Sequence, residues 1–201
     1  MSQDSLISPR ATARFVVTLP PEPSRLAAAL RRDVAAAFTA LTTTSDAFRH
    51  LALRARRRLV VMIPYVDHVG AAWAAELFAL TDATERILIL RDVRQLEDCG
   101  GAGVALQRAA TRLLDYSGSG NATATDETFH AKIVLADGVA AYVGSANLLR
   151  RSKELNLECG VLIEGPAVGA IKVVVDAVLA TFEPQSNAPA ALSRNSSPSR
   201  R

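Results

Sequence analysis

One stretch of the 201-residue chain carries side chains suited to phosphoryl chemistry. His130 and Lys132 are two residues apart, so on an extended strand their side chains point to the same face. Ser145 and Asn147 have the same spacing at the end of the next apolar run. A histidine nitrogen is a nucleophile, a lysine supplies a point charge, and hydroxyl and amide groups donate hydrogen bonds to phosphate oxygens. This combination is typical of a site that holds and attacks a phosphoryl group.

The two apolar runs are joined by Asp137 and Gly138, a pair that favours a tight hairpin turn. The chain therefore doubles back, and an in-register hairpin brings the far ends of both runs together. We predict a structural role in the turn for Asp137 and Gly138. The four polar side chains are predicted to converge on one site.

Apolar runs and periodic stripes indicate which elements position this hairpin. Strands are predicted at residues 59–63, 87–90, 131–135, 139–143 and 159–163. Helices are predicted at 24–41, 45–57, around Trp73, from Val104 to Leu113, and at 167–182, with Ser24 as an N-cap. This order predicts an α/β fold, in which a mixed β-sheet is flanked by helices on both faces as an α-β-α sandwich.

Composition divides the chain into three parts. Residues 1–57 are predicted to be a loosely ordered lead-in, up to about residue 23, followed by a helical extension. Residues 58–183 form the predicted α/β domain, which contains a polar loop rich in Gly and Ser at 117–124. Residues 184–201, rich in Ser, Pro and Arg, are expected to be disordered.

Charge and composition narrow the classes of partner and location. The 23 cationic residues, almost all arginine, exceed the 20 acidic residues and give a net charge of +3. This charge allows an anionic partner such as nucleic acid or a phospholipid headgroup. Two cysteines and the lack of a long apolar stretch predict a cytoplasmic protein without stable membrane insertion. No His, Cys or carboxylate cluster has metal-ligand spacing in the sequence.

Residues 130–147 fit the pattern H-x-K-x4-D-x6-G-S-x-N. In this the chain resembles the phospholipase D superfamily, in which the pattern is called the HKD motif, and the resemblance covers residues 58–182. It implies that His130 is the nucleophile and forms a phosphohistidine intermediate. It also implies that Lys132, Ser145 and Asn147 hold the phosphate and stabilise its transition state.

The same resemblance implies an acid that holds the catalytic histidine. Glu158, eleven residues after Asn147, matches this acid by spacing, and Glu154 is the competing candidate. Family enzymes use two motifs, because one histidine attacks while a second protonates the leaving oxygen. Neither His50 nor His68 is followed by the rest of a motif, so the resemblance implies a homodimer with one composite site.

The resemblance implies a phosphodiesterase whose chemistry needs no metal, which agrees with the lack of metal-ligand spacing, so we expect no metal and no other cofactor. Family members with a single motif are more often nucleases than lipases, so the resemblance favours a nuclease. Arg150, Arg151 and Lys153 directly follow the motif and either steer nucleic acid or form a solvated basic face. Tyr65 and Asp67, beyond the first predicted strand, are expected near the mouth of the site.

A closer resemblance is to the phospholipase D-like component of bacterial DISARM antiphage systems, which implies a role in phage defence beside other defence-complex proteins. Two alternatives stay open. One is a phospholipid hydrolase or transferase, and the other is a noncatalytic assembly subunit of a multiprotein defence complex.

Overall fold

Seven strands form one mixed sheet in the computed structural model of the chain, which describes residues 10–34, 42–117 and 128–182. In chain order the strands are β1 (Thr12–Thr18), β2 (Arg58–Met62), β3 (Glu85–Leu90), β4 (Arg112–Asp115), β5 (Ile133–Ala136), β6 (Ala140–Gly144) and β7 (Glu158–Glu164). Their order across the sheet is β1-β7-β6-β5-β2-β3-β4. The pairs β2-β3 and β3-β4 are parallel, and the other four pairs are antiparallel.

The described residues also form five α-helices, one 3-10 helix and one π-helical turn. The helices are α1 (Arg25–Val34), α2 (Thr44–Arg54), α3 (His68–Leu80), α4 (Gly100–Ala109) and α5 (Val168–Ala180); the 3-10 helix is Val93–Leu96 and the π-helical turn is Arg151–Leu155. Ser24, Thr43 and Asp67 cap α1, α2 and α3, since each side-chain oxygen accepts a hydrogen bond from the amide three residues later.

Helices cover both faces of the sheet, so the predicted α/β sandwich is confirmed. On one face α2, α3 and α4 bury an apolar layer in which the Phe48 ring stacks on Trp73 and meets Tyr142 edge-on, with ring centres 4.9 and 5.0 Å apart. On the other face α5 buries Val175 and Leu179 against β2, β3 and β5. Alternate strand residues enter the two layers, as expected for a sheet covered on both sides.

The predicted loose lead-in is wrong for residues 12–18, which form the edge strand β1. This strand pairs with β7 over its whole length, from Thr12 opposite Glu164 to Thr18 opposite Glu158. Within it only residues 15–17 are a continuous apolar run, too short to identify a strand by pattern. Its hydrogen-bonding partner lies about 140 residues later in the chain, so the strand depends on a non-local pairing.

Several predicted boundaries also change. Leu113 does not belong to the fourth helix, because α4 ends at Ala109 and Leu113 lies in β4 opposite Leu88 of β3. The helix predicted to end at residue 57 ends at Arg54, and the closing helix spans only Val168–Ala180. The predicted end of the first helix, most of the loop at 117–124 and the tail at 184–201 lie outside the described residues.

The predicted helical extension shares its core with the domain that follows it. Ala47, Phe48 and Leu51 of α2 are fully buried in the same apolar layer as Leu59 and Val61 of β2. The chain before residue 58 therefore contributes both a sheet strand and part of the core.

Asp137 and Gly138 form the turn between β5 and β6, with φ angles of 52° and 74° that suit a tight hairpin. The Asp137 carboxylate accepts hydrogen bonds from three consecutive backbone amides, those of Arg56 (2.8 Å), Arg57 (2.9 Å) and Arg58 (2.8 Å). Burial acts to raise the pKa of Asp137, but these three amides outweigh it and hold the pKa below its usual value. The turn is thereby fastened to the start of β2.

We expect Asp137→Ala to reduce the free energy of unfolding by about 2–4 kcal/mol, because three amides lose their acceptor and alanine is strained at positive φ. Asp137→Asn tolerates this φ and keeps one acceptor oxygen, so it is expected to lose about half as much. The folded pKa of Asp137 is lowered, so the advantage of the wild type is complete above the unfolded pKa of about 3.9 and is lost as the pH falls through the folded value. Urea unfolding at neutral pH and near pH 3 measures both effects; equal stability of all three proteins would contradict this role.

Candidate functional site

The four polar side chains of the hairpin lie together where β5 begins and β6 ends, at one end of these two central strands. His130 and Lys132 directly precede β5, and Ser145 and Asn147 directly follow β6. The strand predicted from residue 131 begins at residue 133, so the first pair lies on an extended lead-in. The amide of Gly144 still donates to the carbonyl oxygen of Lys132 at 3.2 Å, which continues the hairpin pairing to the site.

The Lys132 side chain is buried, with 5% of its surface exposed, whereas His130 is exposed. Lys132 Nζ donates to the carbonyl oxygen of His130 at 2.8 Å and lies 3.0 Å from each ring nitrogen. An atom equally close to both ring nitrogens sits over the ring and is not in line with either lone pair. The ammonium group therefore lies against the imidazole ring and holds it in place.

Glu158, the first residue of β7, is the buried carboxylate of the site, with 5% of its surface exposed. It accepts hydrogen bonds from the Ser145 hydroxyl and from Asn156 Nδ2, the latter at 3.3 Å. The Ser145 hydroxyl oxygen in turn accepts from the amide of Cys159 at 3.1 Å. The Ser145 hydroxyl therefore donates its hydrogen to Glu158 when no ligand is bound.

Of the two candidate acids, only Glu158 contacts the motif. Glu154 lies in the π-helical turn, where it pairs with Arg150 at 3.0 Å on the surface. The choice of Glu158 by spacing agrees with this placement, while its role in orienting His130 stays a prediction.

Lys132 and Glu158 are coupled electrostatically. Burial lowers the pKa of Lys132, and the Glu158 carboxylate acts in the opposite direction without cancelling it. A buried ammonium is costly unless a counter-charge is close. Glu158 therefore helps to keep a positive charge beside His130.

Tyr142 occupies the space between two glycines next to this charge pair. A Cβ at Gly144 would lie 2.2 Å from the Tyr142 hydroxyl oxygen, and one at Gly160 would lie 2.3 Å from the tyrosine ring. The fully buried ring therefore needs glycine on both strands. The glycine of the sequence motif is explained by this packing.

The loop after β6 is held by the π-helical turn, a feature often found at functional sites. The amide of Asn147 donates to the hydroxyl of Ser152 at 3.1 Å, and Ser152 is buried. The side-chain oxygen of Asn147 is buried and has no hydrogen-bond partner within the described ranges. The loop thus fixes the backbone of Asn147 beside the site.

A second loop, between β2 and α3, is attached to the same region. Leu148 donates to the carbonyl of Tyr65 at 3.1 Å and accepts from the amide of Asp67 at 3.0 Å. The Asp67 carboxylate accepts from the amide of Arg150 at 2.8 Å. A Cβ on Gly70 would lie 1.6 Å from the Leu148 carbonyl oxygen, so glycine is required for this close approach. Tyr65 and Asp67 lie at the motif, near the predicted mouth.

Arg91 is a residue of this region that the sequence reasoning missed. It donates to the Tyr65 hydroxyl at 2.8 Å, and the Tyr65 ring centre is 6.1 Å from that of His130. A signal was present in the sequence, because Arg91 directly follows a predicted strand. The carboxyl ends of parallel strands such as β2 and β3 lie side by side, and ligands of α/β proteins bind beyond these strand ends.

The three basic residues after the motif differ in their surroundings. Arg150 is paired with Glu154, and Lys153 Nζ lies 5.5 Å from the centre of the Trp73 ring. Arg151 is exposed and makes no salt bridge within the described part of the chain. Their contribution to nucleic-acid binding stays a prediction.

Residues 10–34, 42–117 and 128–182 contain no group of three or more His, Cys, Asp or Glu side chains that could hold a metal ion. No helix in these ranges combines the length and apolarity needed to cross a bilayer.

Comparison with known proteins gives both a family and a fold. The family model described as "Cardiolipin synthase, PLD-like domain" matches residues 49–183. The structure is similar to Nuc, a phospholipase D family member from Salmonella typhimurium, with a TM-score of 0.50, 15% identity, and 83% of this chain and 91% of that chain covered. It is also similar to NucT from Helicobacter pylori, with a TM-score of 0.54, 15% identity, and 86% and 98% covered. At these identities the likeness shows the fold alone. No curated protein matches the chain.

The charge coupling in the site can be tested without a substrate, because the chain has only three lysines, Lys132, Lys153 and Lys172. We expect the Lys132 ammonium to titrate below the ordinary lysine pKa of about 10.4. Glu158→Gln removes the counter-charge and is expected to lower the Lys132 pKa further. NMR titration of lysine side-chain nitrogens measures this directly. Glu154→Gln removes the same charge at the surface and should leave Lys132 unchanged; an unchanged or raised pKa in Glu158→Gln would contradict the coupling.

Proposed function

The chain belongs to the cardiolipin synthase PLD-like domain family, and on that premise we propose that it is a metal-independent phosphodiesterase that cleaves nucleic acid through a phosphohistidine intermediate. The observation that carries the proposal is the placement of an exposed imidazole, His130, over the buried ammonium of Lys132. The preference for nucleic acid over phospholipid rests on the arginine-rich composition and the single motif.

In the proposed reaction a ring nitrogen of His130 attacks the phosphorus atom and forms an N–P bond. The bond from phosphorus to the leaving oxygen breaks, and that oxygen takes a proton from an acid. Water then attacks the phosphorus atom and gives a proton to the conjugate base of that acid, while the N–P bond breaks. This step releases the phosphomonoester and restores both the imidazole and the acid. Lys132 and Asn147 are assigned to the phosphate oxygens, where charge accumulates.

Glu158 and Ser145 act together in this scheme. The Ser145 hydroxyl donates to Glu158 in the free site. To donate a hydrogen bond to the phosphate instead, this hydroxyl must break its hydrogen bond with the Glu158 carboxylate. Glu158 meanwhile offsets the cost of burying Lys132.

The acid for the leaving oxygen is assigned to a second copy of the chain. His50 is held by Glu164 at 3.1 Å, at the end of β7 away from Glu158, and His68 is the exposed first residue of α3. Each copy would then supply its His130 to one composite site on a twofold axis.

An uncovered apolar row supports this dimer. Val143, two residues before Ser145, pairs in register with Val161, and Val161 pairs with Phe15 on β1. The row is on the α5 face of the sheet, where Val143 is 37% and Phe15 52% exposed. A second copy that shares the site would cover apolar surface next to it.

We further propose bacterial phage defence as the setting, from the resemblance to the DISARM component. The alternative of a noncatalytic assembly subunit is distinguished by the phage resistance of a His130→Ala variant. This variant keeps the resistance of the intact chain if the protein is an assembly subunit, and loses it if the protein acts as an enzyme.

Hydrolysis in excess chelator tests the mechanism. We expect the protein to cleave DNA or RNA oligonucleotides and a chromogenic phosphodiester, and His130→Ala to lower the rate by about 10³-fold or more, since it removes the nucleophile. His50→Ala is the matched control and is expected to keep most of the activity. Activity abolished by chelator, or equal rates for His130→Ala and the wild type, would refute the mechanism. Headgroup release from phosphatidylethanolamine vesicles without oligonucleotide cleavage would favour the phospholipid alternative.

Mixing subunits tests the composite site. If each site needs His130 from both copies, an equal mixture of wild-type and His130→Ala chains, co-refolded to random pairs, retains about one quarter of the activity; independent sites retain about one half. Sedimentation equilibrium on the same samples gives the oligomeric state, and a strict monomer at micromolar concentration would contradict the dimer.

A further inference from the structure

Arg91 is an exposed cation that the motif does not contain. It follows β3 directly, its Nη1 donates to the Tyr65 hydroxyl at 2.8 Å, and its guanidinium carbon lies 5.9 Å from the Tyr65 ring centre. Within the described ranges Arg91 makes no salt bridge. The adjacent carboxylate of Asp92 is instead taken by Arg94 at 2.6 Å. Arg91 therefore carries a positive charge that no carboxylate in residues 10–34, 42–117 or 128–182 directly pairs.

Tyr65 links Arg91 to the candidate nucleophile. The Tyr65 and His130 rings meet edge to face, with centres 6.1 Å apart and an interplanar angle of 67°. The Tyr65 backbone is fixed by the hydrogen bond from Leu148, next to Asn147 of the motif. Since the ring is held at both its backbone and its hydroxyl, the guanidinium carbon is held near His130, at most about 12 Å from the centre of its ring.

The chemistry of Arg91 suits a phosphate diester. A guanidinium has five N–H donors in a plane, and the Tyr65 hydroxyl uses only one. The others can bind two oxygens of one phosphate, with a geometry that lysine cannot match. A simple diester with one phosphorus has no neighbouring phosphate to place there, whereas a polynucleotide strand always does.

We propose that Arg91, positioned by Tyr65, binds a phosphate of the substrate strand adjacent to the one that His130 attacks, and so makes the site selective for polynucleotides over small diesters. This inference rests on the proposed function. Arg91 makes and breaks no covalent bond; it contributes to substrate binding, and Tyr65 is a positioning residue.

The test compares two substrates, an oligonucleotide and the chromogenic diester bis(4-nitrophenyl) phosphate. Arg91→Met is expected to lower the ratio of kcat/KM for the oligonucleotide to that for the small diester by about 10–100-fold, mainly through KM, because one charged hydrogen-bonded contact is lost. It should also reduce the slope of log affinity against log salt by about one. Arg91→Lys restores part of the loss, and Tyr65→Phe, which removes only the hydroxyl, gives a smaller loss of about 2–5-fold.

Arg108→Met is the matched control, because it removes an exposed arginine from the last turn of α4. This turn lies near the start of β3, at the opposite end of the strand from Arg91. The ratio should not change in this variant. An unchanged ratio in Arg91→Met, or an equal loss on both substrates, overturns the proposal.

A binding measurement tests the Arg91 subsite independently of the proposed hydrolytic mechanism. Fluorescence anisotropy with a labelled oligonucleotide is measured in His130→Asn, with and without Arg91→Met. Weaker binding with a smaller salt slope supports the Arg91 subsite even if neither substrate is hydrolysed, in which case the proposed nuclease activity alone fails. Equal binding by both proteins overturns the subsite, whatever the outcome for hydrolysis.

Discussion

A buried ammonium group requires a nearby negative charge, and this requirement shapes the site around Lys132. Its counter-charge, Glu158, comes from β7, so β6 lies between the two strands that supply the pair. The carboxylate is in turn satisfied by Ser145 and Asn156. A shift of one residue in the pairing of β5, β6 or β7 would send one of these side chains to the other face of the sheet. The electrostatic interaction between Lys132 and Glu158 therefore constrains the register of all three strands.

The hairpin that carries the motif is attached to the rest of the molecule at both ends. At the turn, the carboxylate of Asp137 binds three amides at the start of β2. At the site, the chain after β6 binds the loop after β2 through Leu148 and Asp67, with Gly70 allowing the backbones to touch. The hairpin cannot rotate against the centre of the sheet without breaking one set of contacts. Such support from two sides is what a site needs to hold its side chains in place.

Local patterns predicted the parts of the molecule that depend on local chemistry. The hairpin, its turn and the polar side chains at its open end follow from spacing within twenty residues, and the alternation of apolar strands and helices predicted the sandwich. The strand β1 was missed because its stability comes from pairing with β7. Arg91 was missed because its nearness to His130 depends on strand order. Lys153 could not be placed over Trp73 from sequence, since these residues meet only after α3 and the π-helical turn have packed.

The position of β1 has a consequence for biosynthesis. Among the strands of the described residues, β1 comes first in the chain and pairs with β7, which comes last, and Thr18 at the end of β1 lies opposite Glu158. During translation β1 cannot pair with β7 until almost the whole domain has been made. Such long-range closure slows folding and leaves strand edges exposed to other chains. A chain truncated before residue 158 lacks β7, so it has an unpaired edge at β6 and no Glu158.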